Sequence, residues 1–271
     1  MKINNYRDQI KIVFFDIDDT LYLKHQDYLP DSIRPAIKQL KANGIIPAIA
    51  TGRTYCAFPP VLQQLIKEEN IDALVTMNGQ YVCYQNKIIK KYPIDKAELL
   101  RLTKFFQQHQ IEYAFITQQE ILVSNINSAL ENALNPITKS YRLNQDPDYL
   151  LHHDIFQLLA FYPQQQDQFI EESQILQNVK TVRWHEDSVD IFDASGSKAR
   201  GIRAMLDYLG LDMQQAMAFG DGLNDIEMLA EVGVGVAMGN AHEKLKQQAD
   251  YITESVAEHG IANFLYKAGL L

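Results

Sequence analysis

The chain is poor in cysteine: among its 271 residues only Cys56 and Cys83 carry a thiol. Two cysteines are too few for the disulfide framework of a small secreted protein, and no set of Cys and His residues has zinc-finger spacing. Because disulfides are rare in reducing compartments, we expect a cytoplasmic protein with free thiols.

The sequence also lacks long apolar runs and an excess of positive charge. No run approaches the ~18 residues that cross a bilayer, and the opening MKINNYRDQI has no apolar signal core. Lys and Arg number 25 against 34 Asp and Glu, which gives a net charge of −9. An acidic chain binds nucleic acid and anionic membranes poorly, so we expect neither as a partner. A monomer and a weak homodimer both stay open.

What the sequence does contain is an alternation of apolar strands and amphipathic helices. Apolar runs at 10–15, 45–50 and 73–77 are typical of buried strands, and the segments between them predict helices at 32–43 and about 58–69. Strand, helix, strand, helix, strand indicates an α/β fold with a doubly wound, Rossmann-like parallel sheet.

The pattern changes in the middle of the chain. A hairpin is predicted at 80–92, and the region up to about 190 is richer in Gln, His and Tyr, with helices expected at 95–109 and 164–177. The α/β alternation returns with a predicted helix at 197–209. We therefore predict an α/β core interrupted by a smaller α+β domain. The core would comprise residues 1–79 and 191–271, and the inserted domain residues 80–190.

Polar side chains follow several of the predicted strands of the core. In open α/β sheets, ligands bind outside the carboxyl ends of the strands, so these residues should converge on one rim. After the first strand come Asp16, Asp18, Asp19 and Thr20, and after the second come Thr51, Gly52 and Arg53. After a late strand come Asp221, Asn224 and Asp225, and Lys198 opens a helix just upstream of that strand.

The chemistry of this set suits a metal ion and a phosphate. Crowded carboxylates repel one another unless a hard cation lies between them, and Mg²⁺ prefers oxygen ligands, whereas zinc is disfavoured without His or Cys. A lysine, a hydroxyl, a glycine that lets the backbone approach, and an amide near a helix start together suit phosphoryl oxygens. A DxD sequence alone is a weak signal, but the joint order of the motifs is much harder to obtain by chance.

The sequence resembles the haloacid dehalogenase (HAD) superfamily of phosphohydrolases, and most closely its Cof-like branch with an inserted α/β cap of the type called C2B. The resemblance covers the predicted core of about 150 residues, and the inserted region matches in position and size. It rests on DIDDT at 16–20, ATGR at 50–53, Asn78-Gly79, Lys198, GDGLNDIEML at 220–229 and VAMGNA at 236–241.

The resemblance implies a role for each matching residue. Asp16 would be the nucleophile that forms an aspartyl-phosphate, and Asp18 would be the general acid and then the base. Mg²⁺ would be held by the carboxylates of Asp16 and Asp221 and the carbonyl of Asp18, with Asp225 supporting the site through water. The phosphate would be bound by the backbone N–H of Ile17 and by Thr51, Gly52, Lys198 and Asn224. Asp19 is interpreted as structural.

The function predicted in this way is Mg²⁺-dependent hydrolysis of small phosphomonoesters such as sugar phosphates or related metabolites. Two alternatives stay open: a phosphomutase like the phosphomannomutases, which would use the same aspartyl-phosphate, and a non-enzymatic sensor of a phosphorylated ligand. The inserted domain offers candidate substrate contacts, although solvated surface is the simpler interpretation for each of them: Lys139, Arg142, Arg183 and His185.

Overall fold

The computed structural model describes residues 3–271 and divides the chain into two compact units. The first unit holds the described residues up to Gly52, together with Pro59–Lys90 and Ser197–Leu271. The second holds Arg53–Phe58 and Lys91–Gly196. The chain therefore passes between the units at four peptide bonds, one of them directly after Gly52.

The strands are numbered along the chain. Over residues 3–271, β1 to β14 are, in order, Ile12–Phe15, Ile46–Ala50, Ala73–Thr76, Tyr81–Tyr84, Lys87–Lys91, Glu112–Ile116, Ile121–Val123, Arg142–Leu143, Gln157–Phe161, Val179–His185, Ser188–Asp193, Ala216–Gly220, Val234–Ala237 and Tyr251–Ile252.

The helices are numbered in the same way. In the described part of the chain, α1 to α10 are Ile33–Ala42, Pro60–Glu69, Lys96–Gln108, Ser128–Leu134, Tyr149–His152, Asp167–Glu172, Lys198–Leu209, Ile226–Glu231, Glu243–Lys246 and Gly260–Lys267. None of these helices combines the length and the apolar character needed to cross a membrane.

The first unit is built on one sheet with the strand order β14-β13-β12-β1-β2-β3-β4-β5. Neighbours from β14 to β3 are parallel, and β4 returns antiparallel to β3. All four residues of β1 are buried, as expected for a central strand of a parallel sheet that is covered on both faces. Because β1 lies between β2 and β12, loops from distant parts of the sequence follow neighbouring strands.

The second unit is an α+β structure with its own core. Its sheet has the order β10-β11-β9-β6-β7-β8 and is antiparallel except between β7 and β8. On one face of the sheet, Phe115, Leu158 and Ile191 belong to the same buried cluster as Leu102 and Phe106 of α3. The α/β class with a doubly wound parallel sheet and an inserted α+β unit is therefore confirmed, whereas the boundaries 1–79, 80–190 and 191–271 stay a prediction.

One sequence-based expectation about the helices was wrong, and one helix of the first unit was missed. The helix expected at 164–177 is a 3-10 turn followed by α6, Asp167–Glu172. It ends early because the Ser173 hydroxyl donates to the carbonyl of Ile170 and Gln174 adopts a φ of +58°. The missed helix is α10, Gly260–Lys267.

Candidate active site

Asp16 lies directly after β1, at the carboxyl end of the strand. Its backbone N–H donates to the carbonyl of Phe219 at 3.1 Å, which continues the pairing of β1 with β12 for one residue. The chain then turns back at once, since Leu21 donates its N–H to the carbonyls of both Asp16 and Ile17. Asp16 is 7% exposed, so its carboxylate lies in a largely desolvated setting.

The remaining residues of this turn differ in their surroundings. Ile17 is fully buried. Asp18 is half-buried. Asp19 has a φ of +53° and forms an ion pair with Lys24 at 3.1 Å, and its carbonyl accepts from Asn240, which agrees with a structural role.

Lys198 is held between two carboxylates by the start of α7. Ser197 caps this helix, its hydroxyl accepting from the N–H of Arg200 at 3.0 Å, so that Lys198 is the first helical residue. The Lys198 side chain is fully buried. Its Nζ lies 2.6 Å from Oδ1 of Asp16 and 2.6 Å from Oδ1 of Asp225. Burial disfavours its positive charge, but the two carboxylates outweigh that effect and raise the pKa of Lys198.

Asp221 and Asp225 belong to one loop that follows β12. The second oxygen of Asp225 accepts the backbone N–H groups of Asp221 and Gly222, both at 3.0 Å. With Lys198 on its other oxygen, the fully buried Asp225 is bonded through both oxygens. Asp221 accepts the Thr20 hydroxyl at 2.9 Å, which ties this loop to the turn after β1.

Asp16, Asp221 and Asp225 form an acidic cluster that could hold a cation. One oxygen of each lies within 4.8 Å of the others. Burial, together with the charges of Asp225 and Asp18, raises the pKa of Asp16 to about 7 against the opposing effect of Lys198. Burial, together with the charges of Asp16 and Asp225, also raises the pKa of Asp221 well above its usual range. The cluster holds more buried negative charge than Lys198 neutralises, and an all-oxygen donor set of this kind fits Mg²⁺.

The turn after β2 brings Thr51 and Gly52 to the same rim. Thr51 is almost fully buried; its N–H donates to the carbonyl of Val75 at 2.9 Å, and its carbonyl accepts the N–H of Asn78 at 3.0 Å. Asn224 is linked to this rim through Asn78, which lies in the turn after β3: its Nδ2 donates to Oδ1 of Asn78 at 3.0 Å. The first unit thus brings together the predicted groups from the ends of β1, β2 and β12 and the start of α7.

Several candidates from the sequence belong to the second unit. Arg53 belongs to the second unit, where it donates to the carbonyls of Ala57 and Ile137 at 2.5 and 2.9 Å. Arg142 donates to Glu120 at 2.8 Å, and Arg183 is paired with Asp167. Lys139 is exposed, and His185 accepts a backbone N–H from Asp187 through Nδ1 at 3.1 Å.

The sequence analysis listed Thr20 among the residues of the rim and Asn78 among the motifs of the family, but it did not predict the contacts that either makes in the site. Thr20 stands inside the DIDDT motif, so its position was a signal for its bond to Asp221. Asn78 comes two residues after the end of β3, and the same strand-end argument applies to it. No role had been assigned to either residue.

The sequence model of one protein family, described as haloacid dehalogenase-like hydrolase, matches residues 13–265. The chain belongs to this family. YkrA of Bacillus subtilis strain 168, which is named a phosphatase, is 36% identical over 263 residues, 96% of this chain and 98% of YkrA. Pyridoxal phosphate phosphatase YbhA of Escherichia coli K12 is 27% identical over 94% of this chain and 97% of YbhA.

A longer relative and a solved structure extend the comparison. A Streptococcus pyogenes serotype M6 protein named a bifunctional phosphatase and peptidyl-prolyl cis-trans isomerase is 35% identical over 271 residues. The match covers the whole of this chain but only 56% of that relative. The solved structure of the HAD subclass IIB sugar phosphatase BT4131 has a TM-score of 0.85 and 28% identity, over 96% of this chain and 100% of that one. The chain is therefore a HAD phosphatase of the Cof-like branch.

Proposed function

We propose that this HAD phosphatase hydrolyses small phosphomonoesters, sugar phosphates or related metabolites, through a phosphorylated Asp16 and with Mg²⁺ as its cofactor. The observation that carries the proposal is the buried carboxylate of Asp16 at the end of β1, which is 2.6 Å from Lys198 and shares an acidic cluster with Asp221 and Asp225. The substrate class is supported by the sugar phosphatase and pyridoxal phosphate phosphatase among the similar proteins.

The residues of the chain divide the reaction into two displacements. In the first, a carboxylate oxygen of Asp16 attacks the phosphorus, the ester P–O bond breaks, and the leaving oxygen takes a proton from Asp18. In the second, Asp18 takes a proton from water, the water oxygen attacks the phosphorus, and the bond to Asp16 breaks. Inorganic phosphate leaves and the Asp16 carboxylate is restored.

The other residues of the rim bind and orient the phosphoryl group. Lys198 offers a positive charge, and its ion pairs with Asp16 and Asp225 hold that charge beside the nucleophile. Thr51, Gly52, Asn224 and the backbone N–H of Ile17 complete the proposed phosphate site.

Mg²⁺ fits the donor set of this site. Asp16, Asp221 and the carbonyl of Asp18 would hold it, with Asp225 acting through water, since both oxygens of Asp225 already accept hydrogen bonds. When bound, Mg²⁺ supplies positive charge that offsets the negative charge of the phosphoryl oxygens. The proposal places the enzyme in the cytoplasm, consistent with two free cysteines in the described chain.

The test is release of inorganic phosphate from p-nitrophenyl phosphate and from panels of sugar phosphates, nucleotides and cofactor phosphates, with Mg²⁺ or with EDTA. We expect release only with Mg²⁺, and its loss in Asp16→Asn. The matched control is Asp31→Asn, which makes the same change at an exposed carboxylate and should leave the rate unchanged. Absence of release from every ester would contradict a hydrolase, and transfer of phosphate between sugars would then identify a mutase.

A further inference from the structure

The Asn78-Gly79 turn after β3 has no part in the mechanism above, yet it has an unusual backbone. Met77, Asn78 and Gly79 follow one another with φ angles of +51°, +53° and +84°. Residues other than glycine seldom adopt positive φ, and they keep it only where the surrounding structure fixes it. Contacts with the surrounding structure must therefore hold this turn in its conformation.

Asn78 connects the turn to two segments of the proposed phosphate site. Its backbone N–H donates to the carbonyl of Thr51 at 3.0 Å, and its Oδ1 accepts from Nδ2 of Asn224 at 3.0 Å. The same Oδ1 lies 3.2 Å from where a Cβ on Gly52 would be. Asn78 is 1% exposed, so water does not compete for these bonds.

Gly79 and Gln80 connect the turn to a third segment, the start of α7. A Cβ on Gly79 would collide with the carbonyl oxygen of Ser197, which caps the helix that begins with Lys198. The fully buried Gln80 donates to the carbonyl of Asn78 at 3.2 Å and accepts from Arg200 of α7 at 2.6 Å. The loops after β2 and β12 and the start of α7 therefore all contact one turn.

We propose that Asn78 is a positioning residue for phosphate binding, acting through Asn224. Since Oδ1 of Asn78 accepts one N–H of Asn224, this bond restrains the rotation of that amide and so the direction of its other polar atoms. Asn224 is only partly buried, and without this bond its side chain would rotate. The inference rests on the proposed function, because it takes Asn224, Thr51, Gly52 and Lys198 as phosphate ligands.

The experiment measures the Kd of inorganic phosphate by calorimetry in the presence of Mg²⁺, which needs no turnover. The variants are Asn78→Gly, Asn78→Ala, Asn224→Ala and the double variant Asn78→Gly/Asn224→Ala. Glycine accepts a φ of +53° without strain and alanine does not, so the two changes at Asn78 remove the same amide but differ in their effect on stability. The control is Asn70→Gly, at an exposed asparagine with a φ of +49°.

We expect Asn78→Gly and Asn78→Ala to raise the Kd by a similar factor of about ten, although Asn78→Ala unfolds at a lower temperature. In the Asn224→Ala background, Asn78→Gly should raise the Kd by less than about twofold, since its partner is already missing. Asn70→Gly should leave the Kd unchanged.

Three results with the variants would overturn the inference: an unchanged Kd in Asn78→Gly, a Kd that follows the loss of stability, or fully additive effects of the changes at Asn78 and Asn224. A wild-type chain that binds no phosphate would overturn it as well. If phosphate binds and depends on Asn78 while no ester is hydrolysed, the proposed function fails and the positioning role stands. If esters are hydrolysed and the Kd is unchanged in the Asn78 variants, the positioning role fails and the proposed function stands.

Discussion

At the scale of single residues, the centre of the candidate site is Lys198 with its two carboxylate partners, Asp16 and Asp225. A buried lysine between Asp16 and Asp225 is stable only because both carboxylates lie at 2.6 Å. The other oxygen of Asp225 accepts hydrogen bonds from two backbone N–H groups, whereas Asp16 is bonded to Lys198 through Oδ1 only. The geometry therefore separates Asp225, which is bonded through both oxygens, from Asp16, the nucleophile of the proposed mechanism, whose bond to Lys198 uses one oxygen.

Asp18 is expected to act in both displacements, and Asp18→Asn should separate them. The p-nitrophenolate ion leaves without needing a proton, so the first step should survive, while the attack of water loses its base. We predict a rapid burst of p-nitrophenol of about one equivalent per chain, followed by turnover slowed by about 100-fold or more. Stopped-flow absorbance measures both phases. Asp31→Asn should show the wild-type time course, and a variant slowed without a burst would contradict the assignment.

The raised pKa values of Asp16 (about 7) and Asp221 predict that Mg²⁺ binding depends on pH. Asp16, with a pKa of about 7, keeps its proton at about pH 6, so Mg²⁺ must displace that proton there, and the affinity for Mg²⁺ falls by up to about tenfold per pH unit. The same shift favours the metal-free folded protein at low pH, and this stability is lost as the pH rises through about 7.

Mg²⁺ should therefore raise the Tm by a larger amount at about pH 8 than at about pH 6. Thermal unfolding with Mg²⁺ and with EDTA at both pH values measures the two differences. Equal Mg²⁺ shifts would show that these carboxylates do not exchange protons for the metal.

At the scale of elements, the contact of α7 with the end of β3 sets the position of Lys198. A Cβ on Gly201 would lie 2.5 Å from Cγ1 of Val75 and 2.8 Å from the Cα of Gly79. The helix approaches the sheet this closely because Gly79 and Gly201 both lack side chains. The fully buried Lys198 lies one turn upstream, so a shift of the helix moves the lysine as well.

Gly201→Ala tests this contact. Alanine favours a helix over glycine by about 1 kcal/mol, but here its methyl group must displace backbone, which costs about 1–3 kcal/mol or more. We predict a net loss of about 1–2 kcal/mol in the free energy of unfolding, and a kcat/KM that falls with it. Arg203→Ala on the exposed side of the same helix, where Arg203 pairs with Glu231, should cost less than about 1 kcal/mol. Denaturant unfolding and phosphatase kinetics check both; a stabilised Gly201→Ala would refute the packing argument.

The elements of the first unit were largely predictable because local pattern and burial agree there. The expected helix 197–209 is Lys198–Leu209, and Gly210 ends it with a φ of +67°. The apolar residues Ile261, Phe264 and Leu265 of the missed α10 do have helical spacing. That helix starts after His259 at a φ of +61°, a conformation with no sequence signal of its own.

The candidate site was predictable for a different reason, and only in part. Parallel strands end at one edge, so Asp16 and Asp221, from opposite parts of the chain, were expected to meet. The bond between Asn78 and Asn224 could not be predicted, because the direction of a side chain at a positive φ depends on tertiary contacts. The pairing of Arg183 with Asp167 was likewise hidden, since an arginine in a sequence does not show whether a carboxylate already holds it.

At the scale of the whole molecule, two compact units with separate sheets predict separable unfolding. The single tryptophan of the chain, Trp184, lies in β10 of the second unit, so its fluorescence follows the unfolding of that unit. The acidic cluster that is proposed to bind Mg²⁺ belongs entirely to the first. The proposed Mg²⁺ site therefore belongs to the first unit, and the fluorescent probe, Trp184, belongs to the second.

Mg²⁺ at about 100 times its Kd should stabilise the first unit by about 2.7 kcal/mol and leave the midpoint of the Trp184 transition unchanged. Arg183→Ala should instead affect the second unit and leave the first unit unchanged. Its guanidinium stacks over Tyr162 at 4.8 Å and donates to Asp167 and to backbone carbonyls, so its loss should destabilise the second unit by about 2–4 kcal/mol and lower the Trp184 midpoint. Far-UV circular dichroism, which follows both units, should then show two transitions. If Mg²⁺ moves the fluorescence and dichroism midpoints together, the two units unfold as one cooperative structure, and stabilisation by the metal reaches the second unit.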